Sequence, residues 1–387
     1  MSPSLRTSVG GVELSSCIFN ASGPKSGHVS DLVNVGRRGG AGAVLSKSAT
    51  LIKQSGNPLP RLKKIPMGGS IHTAGSINSE GLPNAGIDYY IGDGVLDGVA
   101  ATGKPYIVSL SGLSLADNLE MLGRVADAAR AHPGKIAALE LNLACPNIPG
   151  KPTVALDFEQ MADVIAAVVG HKGFAAAEVP LGVKLAPYFD GPHYDAAASI
   201  INAHKGRIAF VVTMNTIGNC LFVDTETESA HIAPKGGFGG IGGGFTKHVA
   251  LANVAQLRRR LDPSIDLVGV GGVATGEDAF QLILCGATAV QVATTHWLEG
   301  PACFDRVAAE LRALMAAKGY AGLDEFRGKL KPWSRENKPR EAEAAAAGGE
   351  ARAGLGWAHW LLAALLPLLL AAAARHIHDA PADPLYP

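Results

Sequence analysis

The chain has 387 residues, and its 34 lysines and arginines are matched by 34 aspartates and glutamates, so the formal net charge is zero. That balance gives no basis for a nucleic-acid or acidic-surface partner, while 47% hydrophobic residues and 48 glycines exclude a disordered chain and describe a compact protein rich in tight turns. The five cysteines (Cys17, Cys145, Cys220, Cys285, Cys303) are odd in number and lack CxxC spacing, which argues against a disulfide framework or a metal site and for a reducing compartment.

The N-terminal stretch MSPSLRTSVGGVELSS shows no basic segment followed by an apolar run, so the cytoplasm is the expected location. In chain order, short apolar runs then fall at 17–21, 43–45, 106–110, 137–141, 181–185, 208–214, 267–270 and 289–293. Several are almost unbroken, as parallel strands buried on both faces must be. Helix-like segments lie between many of them, at 114–131, 157–169, 195–203, 247–261 and 276–285. This alternation predicts an α/β fold, a (β/α)8 barrel rather than an open doubly wound sheet. The wide gaps 50–103 and 220–245 are too long for turns and are expected to fold over the barrel mouth.

The ends of the predicted strands are polar or glycine: Ala21–Ser22–Gly23, Lys47–Ser48, Ser109 with Ser111, Asn142, Lys184, Asn215–Thr216, Gly271–Gly272 and Thr294–Thr295. One face of the barrel therefore gathers lysines, amides, hydroxyls and glycines. Buried amides left unpaired cost about 1–3 kcal/mol each, so such a cluster implies a ligand that pairs them. Within LNLACPNIPGKP (141–152), Cys145 stands between Asn142 and Asn147 where a strand gives way to a loop. A lone cysteine there reads either as inert packing or as a thiol acting on an amide-bearing ligand. GGFGGIGGGF (236–245) and GVGGVATG (269–276) lack the strand, GxGxxG, helix and acidic-residue context of a dinucleotide fingerprint. Their positions after barrel strands fit a phosphate site instead, with backbone N–H groups and the helix beginning at Gly276 favouring negative charge; tight turns are the plainer alternative. Lys47 and Lys184, at strand ends, would face an anion or a developing negative charge, and an imine-forming lysine is the alternative.

From 331 the composition changes. Residues 333–356 are charged and then Ala/Gly-rich, as in a linker. Residues 357–374 form an uncharged run with Trp357 and Trp360 near its start and Pro367 inside. As a helix it would reach about 27 Å, near the thickness of a bilayer core. A membrane anchor and a docked helix both fit.

Taken together, NASG (20–23), SKSAT (46–50), GNPLPR (56–61), GSINSEGLPNAGIDYY (75–90), SLSGLS (109–114), ELNLACPNIPGKP (140–152), LGVKLAPYFD (181–190), NTIGN (215–219), KGGFGGIGG (235–243), GEDAFQLILCGATAVQVATTHWLEGP (276–301) and DEFRGKL (324–330) resemble the dihydroorotate dehydrogenases, most closely the cytosolic class 1A enzymes. The likeness covers roughly 14–332, so the expected organisation is a catalytic barrel over 1–332, the linker, and a tail over 357–387.

The resemblance implies FMN-dependent oxidation of dihydroorotate to orotate in pyrimidine biosynthesis, with fumarate as acceptor and a homodimer as the assembly. It makes Cys145 the base at C5. Asn78, Asn142, Asn147 and Asn215, with Gly81, Leu82, Thr216 and Lys47, would hold the substrate. Ala21, Ser22, Gly23, Lys47, Ser48, Asn142, Lys184, Gly242, Gly243, Gly271, Gly272, Thr294 and Thr295 would hold FMN, with Lys184 compensating its negative charge. The chain departs from the family at Glu80, usually methionine, at Ala144 and Thr216, usually serines, and at Ala293, usually glycine; 69–74 is additional. An NAD-linked class 1B-like enzyme, another flavin-dependent pyrimidine oxidoreductase and a membrane-tethered pseudoenzyme are the competing readings.

Overall fold

The computed structural model describes residues 2–67, 70–145 and 153–337. The chain divides into two units, Met1–Leu330 and Lys331–Pro387. In the second, the described residues hold one short turn of 3-10 helix, Arg335–Asn337. Asn147, most of the linker and the apolar run 357–374 lie outside the described residues.

The first unit is built on eight parallel strands: β1 (Ile18–Asn20), β2 (Val44–Leu45), β3 (Tyr106–Leu110), β4 (Ala138–Asn142), β5 (Leu181–Leu185), β6 (Ile208–Thr213), β7 (Asp266–Val270) and β8 (Ala289–Val292). Their order is β1-β8-β7-β6-β5-β4-β3-β2, the cyclic order of the expected barrel. Between β1 and β2 the ring is sealed largely by a side chain. Asn20 donates from Nδ2 to the Leu45 carbonyl at 2.7 Å and accepts at Oδ1 from the Leu45 N–H at 2.9 Å, and Gly42 N–H reaches the Ile18 carbonyl at 2.7 Å. Asn20 thus completes a seam that a two-residue strand is too short to close by backbone pairing.

Each strand is followed by a helix on the outside: α1 (Val29–Gly36), α2 (Asp93–Ala100), α3 (Leu115–Ala131), α4 (Phe158–Val169), α5 (Gly191–Asn202), α6 (Lys247–Arg258), α7 (Gly276–Leu284) and α8 (Ala302–Ala317). Their starts are written locally. Ser114, Asp157 and Asp190 each accept the N–H of the residue three positions on, and Thr275 with Asp278 forms a reciprocal capping box. Inside the barrel, Phe210 fills the space over Gly182, where an added Cβ would lie 2.1 Å from the ring. Phe210 is 1% exposed; truncating such a side chain to alanine costs about 3–5 kcal/mol.

The hairpin Thr7–Val9 with Val12–Leu14 lies at the N-terminal ends of the strands, where Gly10 N–H donates to Asp266 Oδ2 at 2.8 Å. At the opposite end, the two long gaps meet in one antiparallel sheet. Its order is Ile217–Cys220, Gly239–Gly243, Ser70–Asn78 and Leu62–Met67. This sheet roofs the C-terminal face, where barrels keep their chemistry.

Candidate active site

Beneath the roof is a partly enclosed cavity. Ala21, Ser22 and Gly23 enter it from the end of β1, Lys47 and Ser48 from beyond β2, Asn142 and Cys145 from β4, and Lys184 from β5. Asn215 and Thr216 follow β6, Gly271 and Gly272 follow β7, and Thr294 follows β8. The roof contributes Asn78, Gly242 and Gly243, and the turn beyond it Gly81 and Leu82. Residues that are remote in sequence are thus brought around one space.

Ser48 is the hub of the polar wall. Its Oγ lies 2.9 Å from Ser22 Oγ and 2.8 Å from Ser109 Oγ, and it accepts from Asn142 Nδ2 at 3.1 Å. Asn142 Oδ1 in turn accepts from the Ala144 N–H at 3.1 Å and from Asn215 Nδ2 at 3.4 Å. The strand-end amides are therefore oriented by the scaffold, and the backbone leading to Cys145 is tied to the same network. Asn78 is held by donation to the Gly240 carbonyl at 3.0 Å.

Lys47 and Lys184 are 8% and 4% exposed. Among the described residues neither ammonium has an acidic partner at salt-bridge distance. A buried cation without a counter-ion is costly, and an anionic ligand would relieve it. Burial lowers the Lys47 pKa below its ordinary value; the charges of Glu80 and Cys145 oppose that shift, and those of Lys184 and Arg61 add to it. The other cysteines are not placed for chemistry. Burial pushes Cys17 and Cys303 up to about 12, and raises Cys220 and Cys285 as well. Cys145 alone of the five lines this cavity.

The glycines lining the cavity after β7 and in the roof are required by the packing of the chain itself. Gly272 has φ +73°, and a Cβ there would come within 2.6–2.9 Å of Lys247, including its backbone nitrogen. The roof presents Gly243 at φ +74°, where a Cβ would meet the Ala74 carbonyl at 2.7 Å.

One expectation about the anion site needs correction. The start of α7 does not offer free N–H groups: Ala274 and Thr275 donate to Asp278 Oδ2 at 2.9 and 2.7 Å, and Gly276 donates to Glu310 Oε2 at 2.8 Å. The acidic residues that cap this helix already occupy the place proposed for a phosphate. The Thr295 hydroxyl donates to the Val273 carbonyl at 2.7 Å, bracing the β7 loop. Thr294 does line the cavity, and its hydroxyl lies 3.4 Å from Ser76 Oγ in the roof.

The sequence reading missed a buried pair on the barrel floor. Glu140, fully buried, lies two residues before Asn142 on the same side of β4. Its carboxylate accepts from Gln291 Nε2 at 2.8 Å and Ser109 Oγ at 3.4 Å. Because the amide nitrogen is committed to a carboxylate, the orientation of the Gln291 amide is fixed. Its Oε1 is buried and has no partner among the described residues, while Gln291 lines the cavity. The signal was present as single polar residues within the apolar runs AALELN and AVQV. This acceptor calls for an N–H donor from a ligand.

The family model described as dihydroorotate dehydrogenase matches residues 4–315. The probable dihydroorotate dehydrogenase A (fumarate) of Streptococcus pneumoniae is 44% identical over 329 residues, covering 85% of this chain and 98% of the relative. The dihydroorotate dehydrogenase A (fumarate) of Lactococcus lactis is also 44% identical over 329 residues, with 84% and 99% covered. The dihydroorotate dehydrogenase (fumarate) of Saccharomyces cerevisiae is 45% identical over 291 residues, with 75% and 87% covered. Among solved structures, Eimeria tenella DHODH in complex with ferulenol superposes with a TM-score of 0.67 at 20% identity, over 85% of this chain and 89% of that one, a likeness of fold. The chain belongs to the dihydroorotate dehydrogenase family.

Proposed function

We propose that this protein oxidises dihydroorotate to orotate in pyrimidine biosynthesis, using FMN, with fumarate as electron acceptor. The observation that carries the reading is the convergence of Cys145, the amides of Asn78, Asn142 and Asn215, and two buried lysines on one roofed cavity. Asn147 joins the proposed substrate set from outside the described residues.

FMN fits the donor set. The fixed, partnerless Gln291 Oε1 would accept an N–H of a ring, the buried lysines suit negative charge, and Gly271, Gly272, Gly242 and Gly243 line the same cavity. Ala21, Ser22, Gly23, Ser48 and Thr294 complete its proposed walls. Thr295 would contribute through its backbone alone. When bound, FMN supplies the acceptor for the hydride that leaves C6 of the substrate.

The rest of the work falls to this chain. Cys145 removes the C5 proton onto its sulfur, a task suited to a thiol because thiolate is accessible near neutral pH. The asparagines pair the ring amides and carboxylate; the hydrogen bonds of Asn142 to Ser48 and Asn215, and of Asn78 to Gly240, orient those three before substrate arrives. Lys47 compensates charge on the substrate side and Lys184 on the cofactor side. Fumarate then takes up the two electrons with two protons, leaving succinate.

Steady-state assays separate the rivals. Orotate formation supported by fumarate, and not by NAD, is the expected result. NAD-supported turnover would favour the class 1B-like reading, and no turnover with fumarate, NAD or a quinone would favour the pseudoenzyme. We also propose a homodimer in the cytoplasm, with residues 333–356 as a linker to an apolar segment at 357–374 that attaches the barrel to a membrane. Among the described residues no helix is long and apolar enough to cross a membrane; the uncharged composition of 357–374 is what supports the attachment.

A further inference from the structure

We propose that Glu80 is a specificity-determining residue: a fixed carboxylate at the neck of the active-site cavity that makes the site favour monoanionic over dianionic ligands. The proposal rests on the assignment of the inner cavity to dihydroorotate. Beside it lies a second, more open hollow, and Lys47, Leu62 and Glu80 line both spaces. The carboxylate thus stands where the two spaces adjoin.

The side chain is held in place. Glu80 Oε1 lies 3.7 Å from Arg61 Nε, with the two side chains 16% and 20% exposed. Arg61 is itself anchored, donating from Nη1 to the carbonyls of Ser55 and Asn57 at 2.7 and 2.8 Å. The backbone on either side is locked as well. Asn57 N–H donates to the Glu80 carbonyl at 2.9 Å, and a Cβ on Gly56 or Gly81 would come within 2.5 Å of Glu80 or Asn57. Segments 55–61 and 79–81 therefore pack as one piece, which fixes the point from which the Glu80 side chain projects, and the Arg61 ion pair draws its carboxylate to the neck.

A fixed negative charge acts on each charge of a ligand in turn. At roughly 10 Å, with an effective dielectric between those of protein surface and water, one ligand charge changes affinity about fourfold. A dianion feels the effect twice, so its penalty is roughly the square, about fifteen-fold. Arg61 does not cancel the comparison: with Arg61 and Lys47 both charged, removing the carboxylate changes the net charge at the neck by one, so the titrations are run at a pH where Lys47 is protonated. The filter would weaken a monoanionic pyrimidine carboxylate about fourfold and dicarboxylates, including the proposed oxidant, about fifteen-fold.

The test uses FMN-loaded full-length protein and the variants Glu80→Gln and Glu80→Met, both neutral. Dissociation constants of orotate and fumarate are measured by titration calorimetry at low and high salt. The proposal expects both variants to tighten orotate about fourfold and fumarate about fifteen-fold at low salt, with both gains shrinking at high salt as the charges are screened. Equal gains for the two ligands, or none, overturn it. Orotate binding and dihydroorotate turnover by the unaltered protein test the underlying assignment separately: their loss would sink that assignment, whereas normal turnover with a flat charge response would sink only the filter.

Discussion

Replacing Ser48 by alanine probes the polar wall where it is most connected. The hydroxyl, 1% exposed, joins Ser22, Ser109 and Asn142 at 2.9, 2.8 and 3.1 Å. After its loss, Ser22 Oγ still accepts from the residue 48 N–H at 2.7 Å, and Ser109 keeps Glu140. Asn142 Nδ2 is left without an acceptor. An orphaned buried donor costs about 1–3 kcal/mol and the two lost hydroxyl bonds about 0.5 kcal/mol each, giving a destabilisation of about 2–4 kcal/mol. With an unfolding entropy of about 2.1 cal/mol/K per residue, that lowers the Tm by roughly 3–6 °C for a unit the size of Met1–Leu330. Calorimetry of the single variant, of Asn142→Ala and of the double variant measures it. Removing Asn142 first removes the orphan, so Ser48→Ala should cost markedly less in that background. The same cost in both backgrounds, or an unchanged Tm in the first, would refute the hub.

Other consequences follow from burial and charge. Anion binding needs Lys47 protonated, and burial depresses its pKa; orotate affinity should therefore hold at neutral pH and fall as pH rises, at a pH below the ordinary lysine value of about 10.4, while Lys47→Arg removes that loss. Persistence of the alkaline limb in the arginine variant would assign it elsewhere. Burial lowers the pKa of His296 from 6.5 to about 4. The unfolded chain thus binds this proton first as pH falls, and stability present above about pH 6.5 should drop by up to about 3 kcal/mol on approaching pH 4; His296→Asn should flatten that part of a denaturation-versus-pH curve. Gly272→Ala, forced to φ +73° against Lys247, should release FMN on gel filtration while far-UV dichroism stays native. Full-length protein should sediment with membranes and a chain ending at Pro332 should not; recovery of both in the high-speed supernatant would dismiss the attachment.

Eight strands were legible because strands buried on both faces are nearly uninterrupted apolar runs, and their polar ends marked the mouth. The roof was legible only as two long gaps. Its strands come from distant segments, and Gly239–Gly243 has almost no side chains to display an alternating pattern. The pairing of that segment with Ser70–Asn78 is a tertiary fact that local sequence does not carry. Asn20 illustrates the same limit: it resembles a strand-end ligand residue, yet its amide closes the barrel. Asp278 is another, since a helix start reads as an anion site until the position of its own capping carboxylate is known. Glu140 and Gln291 were hidden inside apolar runs, where a single polar residue draws little notice unless its partner on another strand is in view.

The central claim is that Cys145 and the strand-end amides carry out the oxidation of dihydroorotate in this cavity. Anaerobic stopped-flow mixing of the FMN-loaded protein with dihydroorotate, followed by fumarate, tests it most directly. The flavin absorbance should fall with dihydroorotate and return with fumarate. In Cys145→Ala the first phase should slow by about 10²–10⁴-fold, the usual contribution of a general base, while orotate still binds. An unbleached flavin in the unaltered protein, or bleaching at the native rate in Cys145→Ala, would contradict the account.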